Sequence, residues 1–73
     1  MTHQDLEFAR NSLREELEAI NNYQRRIDAT KDEGLKKLLM HNMNEEKEHV
    51  AELFNLIQRL DPIQEEKFRK MGL

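Results

Sequence analysis

Glu46 and His49 are three positions apart, a spacing that places a carboxylate and an imidazole on one face of a helix. Together an oxygen and an imidazole nitrogen can bind a divalent transition-metal ion. Both residues stand where a helix ought to be apolar. Projected at about 100° per residue, Glu46 falls within roughly 10° of the centre of an apolar arc, between Met43 and Val50, and His49 lies about 50° from that centre. Glu16 sits about 40° from the centre of a second apolar arc, between Leu13 and Ile20 and one double turn before Tyr23. An ionised carboxylate withdrawn from water is costly unless it is paired, hydrogen-bonded or bound to a metal. No Lys or Arg lies on the central seam, so a divalent cation is the simplest compensation. Glu on one helix and Glu-x-x-His on another is a ligand set that helical bundles use for paired metal ions. The bland alternative is a core histidine with a snorkelling glutamate in a plain dimeric bundle.

The elements that must hold these residues are helices. Leu6, Ala9, Leu13, Leu17, Ile20, Tyr23 and Ile27 recur by threes and fours, with Phe8 and Ala19 at the edge of the stripe. Thr2 and Asp5 suit the start of this helix, predicted over about 3–29. The break comes at Thr30-Lys31-Asp32-Glu33-Gly34, where Thr30 with Glu33 resembles a capping box, Asp32 is a competing cap and Gly34 weakens helix locally. A second helix, over about 33–60, carries Leu35, Leu38, Leu39, Met43, Val50, Leu53, Leu56, Ile57 and Leu60. It ends before Asp61-Pro62, where Asp61 as cap, Pro62 at the first position and Gln64 as box partner open a short third helix with Ile63, Phe68 and Met71 as apolar contacts. The expected fold is therefore all-α: an antiparallel hairpin over 2–60, then a short C-terminal helix and tail over 61–73.

Height along the hairpin ties the three residues together. With the turn near residues 31 and 32, Glu16 lies about 15 residues before it and Glu46 to His49 about 15 to 17 after, so antiparallel packing sets them level. That level is close to the middle of both helices, where a two-fold axis could bring a second copy of the set face to face. One chain offers two carboxylates and one imidazole; two chains offer four and two, and four negative charges balance two Fe²⁺. Mixed oxygen and imidazole ligation suits iron or manganese and leaves zinc and cobalt open.

Size points the same way. A chain of 73 residues is close to the lower limit for a self-sufficient core, and with Cys at 0 no disulfide can help, which leaves a metal or a partner chain. Charged and hydrophobic residues each make up 37%, with 2 Gly and 1 Pro, a balance that fits long solvated helices with one apolar stripe. The net charge of −3, with both signs interspersed, supplies neither a basic footprint for nucleic acid nor a polybasic membrane anchor. No apolar run is long enough to span a bilayer, and Met1-Thr2-His3-Gln4-Asp5 lacks the regions of a signal peptide, so the expected location is cytoplasmic.

Other candidates have bland counterparts. Tyr23 suits packing, with its hydroxyl near a ligand as a further role. Glu15 and Glu18 could guide cations inward, although exposed helical Glu is ordinary. His41, Glu45 and Glu48 form an i, i+4, i+7 stripe off the main seam that is either a weak external cation site or a solvated face.

From about Glu15 to Leu60 the sequence resembles the encapsulated ferritins, short ferritin relatives that are cargo of encapsulin shells. The resemblance rests on Glu15-Glu16-Leu17-Glu18-Ala19-Ile20, Tyr23, Arg26-Ile27-Asp28-Ala29, and His41-Asn42 followed by Glu45-Glu46-Lys47-Glu48-His49. It implies a two-helix protomer whose homodimer rebuilds the ferritin four-helix bundle around a di-iron centre, with dimers assembling into a ring-shaped decamer. By the same resemblance Glu16, Glu46 and His49 match ferroxidase ligands and Tyr23 a tyrosine near that centre. Glu15 and Glu18 match acidic residues at metal entry, and His41, Glu45 and Glu48 a secondary cation site. Asn22 departs from the pattern, since several relatives carry Trp there. No encapsulin-targeting peptide follows Leu73, which leaves a truncated chain, a fusion to a shell protein and a shell-independent chain as alternatives. The expected function is O₂-dependent oxidation of Fe²⁺ for iron storage in an encapsulin compartment. A rubrerythrin-like peroxide reductase and a non-enzymatic, metal-stapled oligomerisation module are the other readings.

Overall fold

The computed structural model describes residues 2–73; Met1, part of the opening stretch read for a signal peptide, lies outside them. Three helices follow in order, α1 (His3–Ala29), α2 (Glu33–Leu60) and α3 (Pro62–Lys70), and no strand occurs among the described residues. At the start of α1 the Thr2 hydroxyl accepts from the Asp5 amide at 3.1 Å, while the Asp5 carboxylate accepts from the Thr2 amide at 3.3 Å. Two of the orphan amides of the first turn are thereby satisfied. The two candidates at the turn divide between different tasks. Asp32 accepts from the Leu35 amide at 2.7 Å and caps α2, whereas Thr30 ends α1 and its hydroxyl accepts from the Asp32 amide at 3.2 Å. Gly34 serves this cap: a Cβ there would stand 3.2 Å from Asp32 Oδ1, in the way of the carboxylate as it closes over the helix start.

The short link folds α2 back along α1. Their common core is densest on the turn side, where Ile27, Leu39 and Met43 form a buried cluster with Ile20 and Tyr23 packed against it. Toward the open end only Ala9 and Ile57 are buried. The apolar stripes are wider than this contact. Leu17, Leu35 and Leu38 remain 46%, 44% and 56% exposed, and Phe8 57%.

Asp61 organises the end of α2. Its amide donates to the Ile57 carbonyl at 2.9 Å and closes α2, and its Oδ1 accepts from the amides of Ile63 and Gln64 at 3.1 and 3.2 Å and opens α3. Of the three apolar residues expected to dock α3, only Phe68 does so, edge-on to Phe54 with ring centres 5.5 Å apart. Ile63 and Met71 point away and are largely exposed.

The result is a slab. It measures 45 × 27 × 14 Å, and the shortest dimension barely exceeds the about 10–12 Å diameter of one helix with its side chains. Its radius of gyration is 15.3 Å, against about 11 Å for a compact domain of this length. Among the described residues only α3 adds to the hairpin, packing on α2, and the exposed apolar stripes stay uncovered.

Candidate metal centre

Glu16 comes from α1, Glu46 and His49 from α2. Every Cα–Cβ bond leans toward the N-terminus of its own helix, so Glu16 leans away from the turn while Glu46 and His49 lean toward it. In the antiparallel pair this turns Glu16 and His49, which stands three residues further from the link than Glu46, toward each other. His49 Nδ1 stands 3.3 Å from Glu46 Oε2 and 3.4 Å from Glu16 Oε2, a position from which an Nδ1–H donates to either carboxylate. One ligand atom from each of the three residues lies within 4.8 Å of the others.

These distances suit a metal. Two atoms that share one ion at about 2.1 Å are about 3.0–3.4 Å apart for right-angled and tetrahedral arrangements. The two histidine–carboxylate separations already match, and a small side-chain rotation brings in the rest. A Glu-Glu-His group of this kind can therefore bind a metal ion. Three protein ligands leave an ion short of the four to six that zinc, iron or manganese takes, so positions remain for a further ligand. The side chains of Glu16, Glu46 and His49 are 27%, 21% and 45% exposed, with His49 turned furthest toward the open side of the slab.

The surroundings favour cations. The stretches 14–18 and 45–52 stand level on the two helices and carry seven glutamates against two basic residues, Arg14 and Lys47. This belt of negative potential raises the local concentration of divalent ions.

The remaining candidates fall outside the group. Tyr23 packs against the Ile27, Leu39 and Met43 cluster, and the Arg26 guanidinium lies 5.9 Å from the centre of its ring. Glu15 and Glu18 are exposed on α1. His41 Nε2 approaches Glu45 Oε1 at 3.7 Å, both side chains are more than half exposed, and Glu48 is exposed as well. Among the described residues no second trio of ligand-bearing side chains gathers as Glu16, Glu46 and His49 do. Helical periodicity gives no hint of a polar link at the open end, where Arg10 Nη2 lies 2.9 Å from Asp61 Oδ2. A basic residue beside the stripe of α1 and an acid at the end of α2 were its only signals.

The chain is 44% identical over 71 residues to a ferritin-like protein of Thermotoga maritima, covering 94% of this chain and 62% of that one. It is 49% identical over 63 residues to an encapsulin nanocompartment cargo protein of Myxococcus xanthus, covering 82% of this chain and 48% of that one. It thus spans about three fifths or less of the length of these curated relatives. A crystal structure of a protein from Nitrosomonas europaea superposes with a TM-score of 0.88 at 43% identity, over 96% of this chain and 79% of that one. The model of the EncFtn-like family matches residues 1–72. The chain belongs to the EncFtn-like family.

Proposed function

We propose that the chain is a ferroxidase whose di-iron centre is completed by a homodimer. Iron is the substrate: Glu16, Glu46 and His49 of two chains hold two Fe²⁺, each of which gives one electron to O₂. The electron pair and two protons reduce O₂ to hydrogen peroxide and leave two Fe³⁺. The protein's contribution is to hold both ions on one oxidant and to balance their charge with four carboxylates. The observation that carries this reading is the convergent Glu16, Glu46 and His49 at the half-exposed edge of a slab whose apolar stripes stay uncovered. A second copy laid on that edge supplies both the missing ligands and the missing burial. The apolar surface at Leu17, Leu38 and Phe8 supports assembly, and a decameric ring of dimers is the form proposed.

Membership of a family with an encapsulin cargo protein among its relatives supports an encapsulin shell as partner and a cytoplasmic nanocompartment as location, with the lumen receiving the oxidised iron. No helix is long and apolar enough to cross a membrane among the described residues. Iron is the metal proposed; manganese, zinc or cobalt can occupy the same ligands. Aerobic Fe²⁺ oxidation tests the reading. Wild type should oxidise Fe²⁺ well above the uncatalysed rate, and Glu46→Ala and His49→Ala should fall to background. Variants as fast as wild type would refute the site, and a wild type no faster than buffer would leave a metal-stapled module without turnover. A mass that stays monomeric with and without Fe²⁺ would refute the shared centre.

A further inference from the structure

The open end of the hairpin is loosely packed. A cleft of about 330 Å³ opens there between Thr2, His3, Leu6 and Arg10 of the α1 side and Leu60, Asp61 and Pro62 of the other. Across this cleft runs the Arg10–Asp61 pair at 2.9 Å, joining residues 51 positions apart. Besides the contact of His49 with Glu16, it is the polar side-chain link between α1 and the rest of the chain among the described residues.

We propose that Arg10 and Asp61 are positioning residues that hold α1 at the angle where Glu16 meets Glu46 and His49. This rests on the metal-binding reading above. Glu16 stands about 21 Å from the turn along its helix, so a tilt of about 5° about the turn displaces it by about 2 Å. A ligand set tolerates about 0.5 Å. The Ile27, Leu39 and Met43 cluster restrains the turn side, but on the other side of Glu16 the described part of α1 contributes one fully buried residue, Ala9, with Leu6 and Leu13 only partly buried. The ion pair, about 9 Å beyond Glu16 on that side, restrains the free end. Asp61 is well placed to anchor it. The same carboxylate is held by two α3 amides through Oδ1, is only 20% exposed, and presents Oδ2 to Arg10.

The test uses the full chain with Co²⁺ as the probe, read by calorimetry and by the visible absorption of the bound ion. Asp61→Asn keeps the capping oxygen and removes the ion pair; Arg10→Ala removes it from the other side without touching the cap. Each should weaken Co²⁺ binding about two- to fivefold, the range an exposed ion pair can supply, and alter the visible band. The double variant should lose no more than either single, and Arg10→Lys should recover most of the affinity. A fall in thermal midpoint with unchanged affinity and band would reduce the pair to a structural clasp and overturn the proposal, as would additive losses. Glu46→Ala separates the two levels. If it abolishes Co²⁺ binding while the Arg10 and Asp61 variants bind normally, this inference alone fails; if it binds like wild type, the metal reading fails and takes the inference with it.

Discussion

The two halves of the hairpin are held by different means. On the turn side a buried cluster of Ile27, Leu39 and Met43 is backed by Ile20 and Tyr23 and closed by the Asp32 cap. On the open side Ala9 and Ile57 are buried outside that cluster, and a charge pair spans a cleft lined by Leu6, Arg10, Leu60 and Asp61. Glu16, Glu46 and His49 lie where one regime gives way to the other. Packing fixes a position once the chain has folded, whereas an exposed ion pair can be screened, broken or replaced. Side chains at this boundary are held well enough to converge and left free enough to shift.

Core truncation bears most heavily on this contrast. Met43→Ala should cost about 3 kcal/mol in urea unfolding, because the cluster around it has no slack. Ile57→Ala, although Ile57 is 4% exposed against 7% for Met43, should cost less, about 2 kcal/mol, since it lies outside the buried cluster and its surroundings can collapse further. The reverse order would break the comparison.

The ligand positions give a smaller effect of opposite sign. Without metal, Glu46 is a partly buried carboxylate close to a second one, so Glu46→Leu should stabilise the metal-free chain by about 1 kcal/mol while removing its metal binding. A denaturation midpoint that falls instead would mean that the apo trio is already well satisfied by His49. The smallest contrast is between the caps. Asp32→Ala should cost about 1 kcal/mol and Thr2→Ala about half of that, because Asp32 joins two packed helices and Thr2 closes a fraying end. Amide hydrogen exchange in the first turns of α1 and α2 would show whether the two are in fact alike.

Much of this was legible in the residues alone. Apolar spacing of threes and fours gave two long helices, and the short break between them gave the hairpin. Glu16, Glu46 and His49 stood out because charge on an apolar arc violates the pattern, and equal distance from the turn brought them together. What escaped has a common cause. Arg10 reaches Asp61 because of the angle between α1 and α2, and Phe54 meets Phe68 because of the direction in which α3 folds back. Periodicity describes one helix at a time and carries neither quantity. The turn was ambiguous for a different reason: Thr30 and Asp32 can both cap, and Gly34 without a Cβ leaves room for the Asp32 carboxylate to close over the helix start.

The buried cluster of the hairpin does not extend to enclose Glu16, Glu46 and His49. All three side chains touch solvent already. Under the metal-binding proposal, selection within a lone chain is therefore coordination chemistry: any divalent ion that accepts two oxygens and a nitrogen competes on affinity and abundance. Under the dimer proposal, control over which ions enter, and in what order, belongs to the second copy laid against this one.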